Sequence, residues 1–166
     1  MDGDNYLYAL VEAGVALAGF SAIAIALESR GVQQSETRQK AVIARLVERS
    51  LMASLFALLP TLLFGLDISE RIVWLIASGS LAGYGAFRLV QTLRTHKETM
   101  VQMRVGGATR FVLGLVAVAV IIIQVLNAIG FVLSQGQWWY ALGVTWLMVT
   151  AGYTFVIYLR AWMRGS

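Results

Sequence analysis

The sequence predicts an all-α membrane protein of five transmembrane helices, N-terminus outside and C-terminus inside, with helices two and three extended into the cytoplasm. Three observations predict it. The chain is 58% hydrophobic and only 13% charged, where an ordinary soluble domain carries about 25% charged residues. Its apolar residues fall into five runs, each long enough to cross a hydrocarbon core of about 30 Å at about 1.5 Å per helical residue. Its arginines and lysines lie almost entirely on one side of the spans that those runs define.

The first span, about residues 6–27, reads YLYALVEAGVALAGFSAIAIAL and is broken only by the carboxylate of Glu12. Tyr6 and Tyr8 suit an interfacial aromatic belt, and Glu28-Ser29-Arg30 stops the run. The preceding MDGDN is acidic, unlike the basic start of a cleavable signal, so this helix is expected to stay in the mature protein. Ser35 followed by Glu36 reads as a start for the second helix. Its span is placed at 41–66, yet Arg45, Glu48 and Arg49 keep its first turns polar and only Ser50–Leu66 is free of charge. Pro60 within it removes one backbone hydrogen bond and is expected to free the carbonyl of Phe56.

Asp67-Ile68-Ser69-Glu70 makes a polar turn into the third span, 72–90, rich in small residues and carrying Gly79-x-x-x-Gly83, a close-packing pattern. The helical pattern runs on to Arg104, with Leu89, Leu93, His96, Met100 and Met103 forming a heptad-like stripe, a candidate assembly surface. Gly106-Gly107 breaks it. The fourth span, 111–133, is the most apolar but holds Gln124 and Asn127. The fifth, 138–159, opens on the belt Trp138-Trp139-Tyr140. The whole chain, 1–166, is read as a single polytopic membrane domain.

Charge sets the orientation. Of the 13 lysines and arginines, Arg71 alone falls outside when the N-terminus is outside, and the rest lie at cytoplasmic segments and span ends. The net charge of +4 is explained by this bias. Interspersed Glu36, Glu48 and Glu98 and the lack of stacking aromatics argue against nucleic acid as a partner. The expected partners are the lipid bilayer, further copies of the chain, and anionic headgroups near the cytoplasmic arginines. The expected location is a bacterial inner (plasma) membrane.

The topology places Glu12, Asn127, Thr145, Ser78 and Thr61 at one depth, roughly 8–9 Å inside the outer boundary, with Gln124 about one turn deeper. These six are the candidate pathway or polar layer. Glu12 supplies its only formal charge, and an ionisable group inside a membrane marks a functional site by default. Two readings stand side by side. Glu12 serves a pathway, or it bonds to Asn127 or Gln124 and merely fixes packing. Its stripe of Ala9, Glu12, Ala16, Gly19 and Ile23 is predicted to face inward, since small side chains let a neighbouring backbone approach. Gln124 and Asn127, uncharged and one turn apart, read more naturally as hydrogen-bond glue between helices.

No enzyme is expected. There is no cysteine, and His96 is the only histidine, so neither a paired-histidine haem nor a zinc site of familiar spacing can be assembled within one chain. No cofactor or metal is expected. The expected function is a homo-oligomeric channel or transport-type protein with a cation or proton pathway near Glu12. The alternative is a non-conducting interaction, scaffold or effector module that docks partners through the cytoplasmic helix extensions.

Overall fold

The computed structural model describes residues 3–28, 36–94, 107–131 and 136–165, all of them helix or short connection. Five helices follow in order: α1 Gly3–Glu28, α2 Glu36–Phe64, α3 Glu70–Arg94, α4 Gly107–Ala128 and α5 Gly136–Gly165. Among the described residues four stretches are long and apolar enough to cross a membrane: Val47–Phe64, Glu70–Arg94, Phe111–Ala128 and Gly136–Ile157. In α1 the apolar run counted in the same way is Asn5–Phe20. A helix closes its own backbone hydrogen bonds, which is the condition for a lone segment to exist in hydrocarbon.

The turns account for where the helices stop. α2 ends two residues before Leu66, where the amides of Leu66 and Asp67 turn back onto the carbonyls of Leu63 (3.1 Å) and Phe64 (3.2 Å). Asp67 then adopts φ 53°, a left-handed conformation that aspartate tolerates better than most residues. The Ser69 carbonyl starts α3 by accepting from Ile72 (2.9 Å) and Val73 (3.1 Å). α4 was expected to reach Leu133 but stops at Ala128. Phe131 N–H bonds the carbonyl of Leu126 (3.0 Å), Gly130 N–H bonds that of Asn127 (3.1 Å), and Gly130 has φ 81°. This pair of bonds around a left-handed glycine is a Schellman stop. Pro60 lies buried within α2 and does not end it. Ser35 and the continuation of helix three beyond Arg94 lie outside the described residues.

Packing divides the chain into two compact units, Met1–Thr61 with Val144–Ser166, and Leu62–Gly143. The dividing points fall within α2, just past Pro60, and within α5, just past Gly143.

In the first unit, α1 buries Leu7, Leu10, Gly14 and Ala18 at helical spacing, and Gly14 meets Ser54 of α2 and Met148 of α5. Gly14 is the point of closest approach. A Cβ there would collide with Ser54 Oγ and come within 2.5 Å of Met148 Cε and 3.0 Å of the Ser50 carbonyl. Ser54 Oγ reaches both the Val11 carbonyl (3.3 Å) and the Ser50 carbonyl (3.2 Å), tying α2 to α1. In the second unit, α3 packs on α4. It buries Val73, Trp74, Ala77, Ser78, Leu81 and Ala82, a two-residue-wide stripe repeating every helical turn.

The outward surfaces differ in kind. α4 exposes Phe111, Leu115, Val118, Ile122 and Val125, a bulky apolar stripe suited to lipid chains. The expectation for α1 is reversed. Ala9, Glu12, Ala16, Gly19 and Ile23 form its exposed face, on the side opposite Leu7, Leu10, Gly14 and Ala18. Gly79 and Gly83 of α3 are exposed as well, with nothing among the described residues within 4 Å of a Cβ built on either.

The Gly14 crossing generates a test. Gly14→Ala should destabilise the protein by about 1–3 kcal/mol, the usual cost of overpacking a tight contact. Gly19→Ala, with nothing within 4 Å of the added carbon, should leave stability unchanged. Unfolding of both variants in mild detergent measures the difference, and equal midpoints would contradict this crossing.

Candidate functional site

Three of the six polar-layer residues come together in the unit Leu62–Gly143. Asn127 of α4 donates both amide hydrogens, one to Ser78 Oγ of α3 at 2.8 Å and one to the Gly136 carbonyl at the start of α5 at 3.0 Å. One turn earlier, Gln124 Nε2 donates to the Trp139 carbonyl of α5 at 2.7 Å. Ser78, Gln124 and Asn127 are all at most 2% exposed. Two amides one turn apart on α4 therefore fasten α3 and α5 to it.

Glycines and aromatics shape this cluster. A Cβ on Gly143 would lie 2.6 Å from Gln124 Nε2 and 2.8 Å from Leu81 Cδ2, so only glycine leaves room for the amide. A Cβ on Gly136 would sit 3.3 Å from Asn127 Oδ1 and 3.3 Å from Trp74 Cδ1. Trp74 packs edge-on to Phe64 and tilted against Tyr140, with ring centroids 5.8 Å apart in each pair. Its indole N–H donates to Glu70 Oε1 at 3.2 Å. The sequence reading identified the amides but missed Gly136, Gly143, Trp74 and Tyr140 as their setting. The available signal was a glycine at each end of the segment from Gly136 to Gly143, opposite two polar side chains.

In the other unit, Thr145 Oγ1 and Tyr6 Oη share a hydrogen bond of 2.9 Å, joining α5 to the start of α1. Arg49 donates to Thr154 Oγ1 at 3.1 Å, and Thr154 Oγ1 donates in turn to the Thr150 carbonyl at 2.8 Å. Thr61 is half-buried. Glu12 is exposed, and its side chain makes no hydrogen bond or ion pair among the described residues. Within Leu62–Gly143, Asn127 spends both amide hydrogens and Gln124 one on the bonds above, while Gln124 Oε1 is buried with no hydrogen-bond partner among the described residues. Phe56, whose carbonyl Pro60 is expected to free, has a buried side chain.

Of the candidate assembly stripe, Leu89 is half-buried and Leu93 is 62% exposed. His96, Met100 and Met103 lie outside the described residues. Near the same end of α3, Arg88 stands 6.0 Å from the centre of the Tyr84 ring and donates to Gln91 Oε1 at 3.3 Å.

Chemically, the amide cluster is a fastening. It holds no acid, base or nucleophile in a reactive arrangement, and among the described residues no group of three His, Cys, Asp or Glu side chains converges. Glu12 is different, being an ionisable group presented outward from an apolar helix. Comparison with protein-family models, with curated proteins and with solved structures gives no match, so residues and geometry carry the functional reading.

The fastening is testable by a double-mutant cycle. Ser78→Ala and Asn127→Leu should each destabilise the protein, and together by less than the sum. The coupling expected for a hydrogen bond between membrane helices is about 0.6–1.7 kcal/mol. Strictly additive effects in detergent unfolding would show that the 2.8 Å contact contributes nothing.

Proposed function

We propose that this chain is a homo-oligomeric integral membrane protein of channel or transport type, with a cation or proton pathway past Glu12. Four helices with the length and apolarity of membrane spans support the membrane part. α1 is the fifth span in this reading, and the lysine and arginine bias supports an outside N-terminus and an inner-membrane setting.

One observation carries the pathway. Glu12 is the only charged residue in the run Tyr6–Leu27, it is exposed on α1, and no described side chain pairs with it. A carboxylate facing lipid at depth costs about 2.5–3.5 kcal/mol on insertion scales, so such groups face water, an ion or another protein surface. The buried amides Gln124 and Asn127 hold helices together within Leu62–Gly143. The pathway therefore belongs between copies of the chain rather than through the interior of one. Five short spans enclose little space by themselves, which favours the same arrangement. A carboxylate lining selects cations.

The second reading is a non-conducting module, supported by Leu93, a large apolar side chain 62% exposed at the last turn of α3 beside Arg94. A flux assay separates the two. Purified protein in liposomes should pass protons or potassium above the level of empty vesicles. Glu12→Gln should lower that flux by roughly tenfold or more, the factor given by about 1.4 kcal/mol of lost ion stabilisation. Liposomes that stay tight with correctly folded protein would favour the module, and full flux through Glu12→Gln would remove Glu12 from the pathway.

A further inference from the structure

We propose that the contact between α4 and α5 within Leu62–Gly143 binds internal water, which donates a hydrogen to Gln124 Oε1 and accepts one from Trp139 Nε1. This site for a small neutral molecule is separate from the pathway past Glu12 and does not depend on it.

Two buried polar atoms carry the inference. Gln124 is 1% exposed, and its Oε1 has no hydrogen-bond partner among the described residues. Trp139 Nε1 is buried and equally without one. The two ends of the Gln124 amide are not interchangeable here. A backbone carbonyl only accepts, so the amide must turn Nε2 toward the Trp139 carbonyl 2.7 Å away, and Oε1 is the end left over. The two orphaned atoms therefore belong to residues that one hydrogen bond already joins.

A buried donor or acceptor without a partner costs the desolvation of that group, and hydrocarbon returns none of it. Internal water is the usual remedy, in soluble proteins and between membrane helices alike. The chemistry of the pair selects it. Gln124 Oε1 accepts and Trp139 Nε1 only donates, while water does both. Neither group carries a charge that would call for an ion. Packing selects the smallest such molecule. A Cβ on Gly143 would lie 2.6 Å from Gln124 Nε2, 2.8 Å from Leu81 Cδ2 and 2.9 Å from Gln124 Cδ, so the surroundings close in on the amide from that side. Trp139 also lies in the first turn of α5, an end whose leading amides lack intrahelical partners and are commonly satisfied by water.

The test is NMR of the full chain, deuterated and re-protonated at its exchangeable sites, in nanodiscs of deuterated lipid. Magnetisation selected on water is passed through space, and rotating-frame detection separates a neighbouring water from proton exchange. The indole signal of Trp139, one of five tryptophans, is assigned through its own bonds in the wild-type protein. Water cross peaks are expected at the Trp139 indole N–H and at the Gln124 side-chain amide, and none at the backbone amide of Ile122 on the lipid-facing stripe. Tyr140→Phe removes the buried hydroxyl of the adjacent residue, which is able to relay the signal, and should leave both cross peaks in place. A missing cross peak at either group in the wild-type protein would overturn the inference by itself, as would loss of either in Tyr140→Phe.

Discussion

Hydrocarbon offers no hydrogen bonds, and that constraint organises everything seen in this chain. Helices satisfy the backbone, so the chain is helical wherever it is described except at short connections. Most of the buried polar groups find partners on neighbouring helices, although Gln124 Oε1 and Trp139 Nε1 are buried without a hydrogen-bond partner among the described residues. Asn127 reaches Ser78 and Gly136, Gln124 reaches the Trp139 carbonyl, Ser54 reaches Val11, and Thr145 meets Tyr6. Each of these bonds also joins two helices, so satisfying a polar group and fixing the fold are the same event. The glycines follow from this requirement. Gly143 exists as glycine because the Gln124 amide occupies the place of its side chain, and Gly14 because α1 presses directly on Ser54.

Much of this was legible in the sequence, and the failures have a physical cause. Apolar run length located the helices because hydrocarbon thickness fixes it. The two amides on α4 were read as interhelical glue because uncharged polar groups in an apolar helix have few alternatives. The end of α4 was misplaced because the residues beyond Ala128 remain apolar, and only the left-handed Gly130 marks the stop. The inward face of α1 was misread for a deeper reason. In a soluble helix, polarity marks the outside. In a membrane helix both faces are apolar, and α1 carries small residues on each: Gly14 and Ala18 on one side, Ala9, Ala16 and Gly19 on the other. Composition could not choose between them, and packing chose the face without the carboxylate.

That choice gives Glu12 its meaning. Had it been buried, it would have joined the list of satisfied polar groups and served only the fold. Its exposure in the otherwise uncharged run Tyr6–Leu27 leaves one requirement unmet among the described residues. The measurement that tests this account most directly is the surroundings of position 12 in an assembled membrane. Glu12→Cys, the only thiol in the protein, is exposed in turn to a water-soluble thiol reagent and to a lipid-dissolved one. The account predicts rapid modification from water, while Leu115→Cys on the apolar stripe of α4 reacts only with the lipid-dissolved reagent. Reaction of Glu12→Cys with the lipid-dissolved reagent alone would place position 12 against hydrocarbon and contradict the account.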